Sequence, residues 1–286
     1  MSDDKNRNFG FGGGFLGDAL KDLQSEYSSE IASRNKKKSL RSKTNTKPAN
    51  KKHEPVTAIP AEHMADYHPG DMVLDTYRVQ SEAIRGGMGA VWRVSHTGWN
   101  MDLAMKRPKA EAFQTPEQKD NFTAECRHWI NLGLHPNIVS CCYVRDIGGV
   151  PSIFSEWMDG GSLKDKILDQ SLYQGTESQV QERILDIAIQ SARGLRYAHE
   201  QNLIHLDVKP GNLLLTNDWE VKVADFGLAS AQTHLMEGDV PASGGYTMQY
   251  SPKEQVDGAP PAAWMDVYDF KQSTTSIGAA VPHGRG

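Results

Sequence analysis

Residues 205–212 read HLDVKPGN, and residues 225–227 read DFG. The first stretch sets Asp207, Lys209 and Asn212 beside a proline–glycine turn. Between the two stretches, LLLTNDWEVKVA (213–224) reads as a hairpin. Asn212 and Asp225 are separated hard-oxygen donors. Such a pair suits Mg²⁺, which takes a few protein oxygens and keeps phosphate and water as its other ligands. Asp207 is a further carboxylate that the metal does not need, so it is free to accept a proton from an attacking hydroxyl. Lys209 can neutralise charge on a transferred phosphoryl group.

Working outward, the chain of 286 residues is 38% hydrophobic and carries a net charge of −5. That allows one sizeable core or two small ones and argues against a specific nucleic-acid binder. From Ser33 to His53 there is no acidic residue, while Arg34, Lys36, Lys37, Lys38, Arg41, Lys43, Lys47, Lys51 and Lys52 are basic. Cys126, Cys141 and Cys142 have no CxxC spacing, which gives neither a metal site nor a disulfide framework and fits a reducing, intracellular, cytoplasmic setting. No apolar run approaches the roughly 20 residues of a membrane span, and the polar N-terminus does not read as a secretory signal.

Residues 1–70 read as a tail. FGFGGGFLG (9–17) is glycine-rich, and Leu16, Leu20, Leu23 and Tyr27 are spaced for one face of a short helix. The tail is either a solvated, disordered extension or a docking helix with a basic patch for an anionic surface. From Tyr77 the texture changes. YRVQSEAI (77–84) and AVWRVSH (90–96) are strand-like around a glycine-rich turn, and MDLAMKR (101–107) and VPSIFSEWM (150–158) are further strand candidates. TPEQKDNFTAECRHWINLG (115–133) reads as a helix: Thr115 and Gln118 form a capping box, Pro116 suits the first turn and Gly133 stops it. Its buried stripe is Phe122, Cys126, Trp129 and Ile130. The longest helical pattern is 178–201, with Ile184, Ile187, Ala188, Ala192 and Leu195 at helical intervals. A strand-rich first half before a helical second half predicts an α+β protein of two lobes.

RGGMGAV (85–91) supplies a turn whose backbone N–H groups can approach phosphates closely. Lys106 follows on the next strand as a phosphate-binding charge, and Glu125 on the capped helix is the acid expected to hold it. Glycine loop, strand lysine, helix glutamate, HxDxKxxN and DFG occur in this order on the expected elements. Over about residues 77–270 the chain thus resembles the eukaryotic-type protein kinase family, Ser/Thr type. The resemblance implies a bilobal kinase domain over 71–270, with 1–70 a tail and 271–286 an irregular tail. It implies ATP and Mg²⁺ as cofactors and a protein Ser/Thr hydroxyl as substrate. By it, Ile84, Arg85, Gly86, Gly87, Met88, Gly89, Val91 and Ala104 line the ATP site. Lys106, paired with Glu125, holds the α- and β-phosphates, and Glu156 and Met158 in SEWMDGGSL (155–163) present backbone groups to the adenine. Asp207 is the base, Asn212 and Asp225 the metal ligands, and Lys209 marks the Ser/Thr pattern. Ser155 then guards the pocket behind the adenine.

The chain departs from the family pattern in four places. Ile84 stands where the first loop glycine is expected. Leu206 replaces the arginine that pairs with an activation-segment phosphate, so the active state is expected not to rely on that pairing; Thr233, Ser243, Tyr246 and Thr247 are the nearby hydroxyls. In GGYTMQYSPKEQ (244–255), Lys253 follows Pro252, which shifts the structural glutamate to Glu254. WMDVYDF (264–270) matches the start of a central helix with Asp266 as anchor for the 205–212 loop, but KQSTTSIGAAVPHGRG (271–286) shows no helical stripe. The expectation is a helical lobe cut short, and the alternative function is a catalytically impaired binding module that retains ATP.

Overall fold

The computed structural model describes residues 66–86, 89–113, 115–226, 247 and 249–279. The tail expectations for 1–65, the loop-tip residues Gly87 and Met88, and Thr233, Ser243 and Tyr246 lie outside these residues.

The first half is an antiparallel sheet. Its strands are β1 (Met72–Val73), β2 (Tyr77–Val79), β3 (Ile84–Gly86), β4 (Gly89–His96), β5 (Met101–Pro108), β6 (Cys141–Ile147) and β7 (Val150–Glu156). The order is β1-β2-β4-β5-β7-β6, and β3 pairs with β4 beside β2. Strict alternation in β4 and β5 decides which face is closed. Trp92, Val94, Leu103 and Met105 are buried with Tyr77, Tyr143 and Phe154 in one core. Val91, Ala104 and Lys106 fall on the opposite, half-open face, with Val91 paired to Lys106 across the ladder. The packed body begins earlier than residue 71. Tyr67 stacks edge-on to Trp92 at 5.6 Å, and its carbonyl accepts from the Trp92 indole N–H at 2.9 Å. Gly70 N donates to Val79 O at 2.9 Å and Asp66 pairs with Arg85, which also join residues 66–70 to the sheet.

Helix α1 (Pro116–Asn131) crosses the half-open side of the sheet. The Thr115/Gln118 capping box is present at its N-terminus, and Gly133 follows its end with φ +68°. Phe122, Cys126 and Trp129 are buried, while Ile130 is half-buried; Trp129 anchors the helix by donating to Val139 O at 2.8 Å.

The second half holds α2 (Leu163–Leu168), α3 (Glu177–Glu200), the hairpin β8 (Leu213–Leu215) and β9 (Val221–Val223), α4 (Lys253–Val256) and α5 (Ala263–Ala279). On α3 the inward face is Val180, Ile187, Ser191, Gly194, Leu195 and Ala198, with Ile184 and Ala188 half-buried. Ala192, expected on this face, is exposed; the helix rolls so that Gly194 meets the chain before β6. A Cβ at Gly194 would lie 2.3 Å from Asn137 O, so only glycine allows this approach. β9 bonds to the same segment through Val139 N–Val223 O and Val223 N–Asn137 O, both 2.9 Å.

The expected irregular tail from 271 is corrected: α5 continues to Ala279. Its buried stripe is Met265, Asp266, Asp269, Ser273 and Ile277, each at most 1% exposed. Three of these five residues are polar, so no apolar periodicity shows in the sequence. The helix is held because Asp266, Asp269 Oδ2 and Ser273 bond the 205–208 backbone, and because Tyr173 donates to Ile277 O at 3.0 Å.

Candidate active site

The hairpin β8–β9 folds Asn212 and Asp225 back together. Leu213 pairs with Val223, and Ala224 N donates to Asn212 O at 2.9 Å. The residues singled out in the sequence converge on this hairpin from both halves. Lys106 Nζ bonds Asp225 Oδ2 at 2.6 Å, with both side chains about one-fifth exposed or less. Lys209 Nζ bonds Asp207 Oδ2 at 2.6 Å. Asn212 Nδ2 donates to Asp207 O at 2.8 Å and to Asp207 Oδ2 at 3.0 Å.

Asp207 is 4% exposed, and its other oxygen accepts from Thr247 N at 3.0 Å. Thr247 Oγ1 also meets Lys209 Nζ at 2.7 Å. Thr247 therefore belongs to this group, beyond its reading as a nearby hydroxyl. Its place 40 residues downstream carries no signal that spacing alone would reveal.

His205 is buried and stacks edge-on to Phe226 at 4.7 Å. Its Nε2 lies 2.7 Å from Ala224 O, which makes that nitrogen the N–H donor and leaves Nδ1 to accept from Asp207 N at 3.2 Å. The histidine thus ties the two motifs by their backbones. Leu206 and Asp225 take left-handed backbone, φ +65° and +66°, which costs a non-glycine residue about 1 kcal/mol or more and persists only where neighbours enforce it. At Leu206 they do: Asp266 Oδ1 accepts its N–H at 2.7 Å and Gln255 Nε2 donates to its carbonyl at 2.7 Å. Asp266 anchors the 205–212 loop as expected, also taking His205 N at 2.8 Å and His199 Nε2 at 2.7 Å. Gln255, and not the neighbouring Glu254, turns toward this loop. It is buried whereas Glu254 is exposed, because the turn after Pro252 points residue 255 inward.

The Lys106–Glu125 pairing is also corrected. Asp225 supplies the carboxylate nearest the ammonium, while Glu125 Oε2 lies 3.4 Å from His128 Nδ1, one turn along α1. Both acids stay close enough to act on Cys126, whose thiol burial pushes strongly up. Glu156 holds two partners through its side chain, Ser140 N at 2.7 Å and Lys222 Nζ at 2.8 Å, which locks the end of β7 to β9. Ser155 lies in register between Ala104 and Cys141 on the half-open face, a row of small side chains. Met158 is buried at the start of the link to α2, and Ile84, Arg85 and Gly86 form the exposed arm of the glycine hairpin. Gly86 pairs with Gly89 across it.

Two oxygen donors remain for a cation. Asn212 commits its amide N–H groups to Asp207, so its Oδ1 is the atom left to ligate. Asp225 has one oxygen on Lys106 and a second available. Among the described residues no group of three His, Cys, Asp or Glu could hold a metal. A two-oxygen site fits Mg²⁺, which keeps phosphate and water ligands, better than Zn²⁺.

The sequence resembles known kinases. It is 32% identical over 206 residues to the serine/threonine-protein kinase PknA of Mycobacterium tuberculosis, covering 68% of this chain and 44% of that protein. It is 29% identical over 201 residues to a protein of Clostridium acetobutylicum named as a probable serine/threonine-protein kinase, covering 70% and 29%. The chain spans less than half the length of both relatives. The crystal structure of the Mycobacterium tuberculosis PknI kinase domain superposes with a TM-score of 0.58 at 26% identity, over 76% of this chain and 79% of that one. Residues 77–270 match the protein kinase domain family, and the chain belongs to that family.

Proposed function

We propose that this chain is a protein serine/threonine kinase that transfers the γ-phosphate of ATP, with Mg²⁺, to a protein hydroxyl. The observation that carries the reading is the convergence of Lys106, Asp207, Lys209, Asn212 and Asp225 on one hairpin from distant parts of the chain. Asp207 accepts the proton of the attacking hydroxyl, held in place by Thr247 N and Asn212 Nδ2. Lys209 sits beside it to neutralise charge on the moving phosphoryl group. Lys106 holds the nucleotide phosphates from β5, and the glycine hairpin closes over them with backbone N–H groups. Asn212 Oδ1 and Asp225 would hold Mg²⁺, whose charge offsets that of the phosphates. Glu156 and Met158 border the adenine.

The protein acts inside the cell, a setting supported by three buried free thiols. Among the described residues no helix is long and apolar enough to cross a membrane. The basic run within residues 33–53 serves as a docking contact for an anionic surface.

The test is phosphate transfer from Mg-ATP to a generic Ser/Thr substrate by the full chain. Asp207→Ala is expected to lower the rate by about 10² or more while ATP binding persists. A second reading, an ATP-binding module without transfer, draws support from Lys106 resting on Asp225 rather than Glu125. Its signature is a melting temperature raised by Mg-ATP with no transfer above that of Asp207→Ala.

A further inference from the structure

The polar residues of the α5 stripe all reach the 205–208 backbone. Asp266 takes the N–H groups of His205 and Leu206 and lies on His199. Asp269, also 0% exposed, accepts from Val208 N at 3.3 Å through Oδ2. Ser273 donates to Val208 O at 3.0 Å. Both polar groups of the Val208 peptide are thus held by α5, and Val208 is the residue between Asp207 and Lys209. Asp266 belongs to the expected anchoring; Asp269 and Ser273 are a second anchor one turn further on.

The two acids differ in their surroundings. They lie three residues apart on one buried helix face, where two carboxylates repel strongly. Asp266 has three hydrogen-bond partners around it, His205 N, Leu206 N and His199 Nε2. Asp269 has one long donor, and its Oδ1 has no hydrogen-bond partner among the described residues. The groups facing it from the loop are Asp207, Lys209 and His205. The Lys209 ammonium is engaged by Asp207 and Thr247, and the His205 ring by Ala224 O and Asp207 N. From α3, His199 is committed to Asp266. Burial first, then the charge of Asp266, pushes the Asp269 carboxyl up to about 8.

We propose that Asp269 is a positioning residue that works as a neutral carboxylic acid: with Ser273 it fixes the Val208 peptide and so the spacing of Asp207 and Lys209, and its ionisation in alkaline solution loosens the loop. The catalytic consequence rests on the kinase reading; the charge state does not.

A folded-state value near 8 lies above the ordinary 3.8, so between them the folded chain keeps a proton that the unfolded chain has released. The stability contributed by this group therefore declines as pH rises from about 4 to about 8 and then levels. Asp269→Asn keeps an oxygen for Val208 N–H and cannot ionise. In the full chain, the melting temperature of Asp269→Asn minus that of the wild type is expected to grow with pH and level off above about pH 8. The ratio of its kcat to that of the wild type is expected to rise about tenfold between pH 7 and 9, with KM for ATP moving less than twofold. A melting-temperature difference independent of pH overturns the proposal. Asp269→Ser, shorter and also unable to ionise, carries the same comparison if the asparagine variant does not fold. If neither chain transfers phosphate, the kinase reading falls, while the melting-temperature difference still upholds or overturns the role of Asp269.

Discussion

Leu206 shows how one residue can be chemically silent and structurally demanding. It sits one place before Asp207 with φ +65°, and both its backbone groups are held, by Asp266 and by Gln255. Its aliphatic side chain cannot pair with a phosphate. The acids and lysines of this loop were legible in the sequence because their types and spacing are set by the chemistry. Thr247 and Asp269 were not, because their roles depend on which distant backbone they meet. Ser155 belongs to the same scale. Ala104, Ser155 and Cys141 form one row of small side chains, so on the proposed function bulky ATP-site inhibitors are expected to bind beside them. Ser155→Met should weaken them at least tenfold in a competition assay while sparing ATP; unchanged inhibition refutes the assignment.

At the scale of elements, strands and helices followed their local rules. The alternation of β4 and β5, the capping box of α1 and its glycine stop all stand where the pattern placed them. The misreadings share one cause. On α5 the inward stripe carries Asp266, Asp269 and Ser273, and on α3 the inward face includes Ser191 and Gly194. A pattern that counts apolar residues misses a face whose buried polar side chains bond nearby backbone. Gly194 also has a measurable consequence. Gly194→Ala forces a Cβ against Asn137 O, the same carbonyl that accepts from Val223 N, and is expected to cost about 1–3 kcal/mol. Thermal unfolding should show it as a loss of several degrees; an unchanged melting temperature would mean that α3 can shift away from the β9 junction at no cost.

At the scale of the whole molecule, one apolar core runs from α1, β6 and β7 into α3, β8 and β9, and polar contacts cross the same junction. The segment before β6 bonds to β9, and Glu156 at the end of β7 bonds to Lys222. The site lies where these contacts meet, which is why residues 106, 207, 212 and 225 share one location. Among the described residues, the packed body reaches back to Tyr67. Residues 1–60 carry a glycine-rich stretch, a lysine-rich run and several prolines, a composition that argues against a packed core, so deleting them is expected to leave the melting temperature within about 1 °C while changing cellular location or partners. A drop of several degrees would place the tail in the fold, and unchanged location and partners would remove its docking role. The sequence by itself determined the family and the main elements that carry the HLDVKPGN and DFG residues, since spacing, capping and side-chain type are local properties. Only the tertiary structure decided that Lys106 rests on Asp225, that α5 runs through residues 271–279, and that Asp269 is buried beside Asp266. Those outcomes depend on which groups lose water together, and no single stretch of chain encodes that.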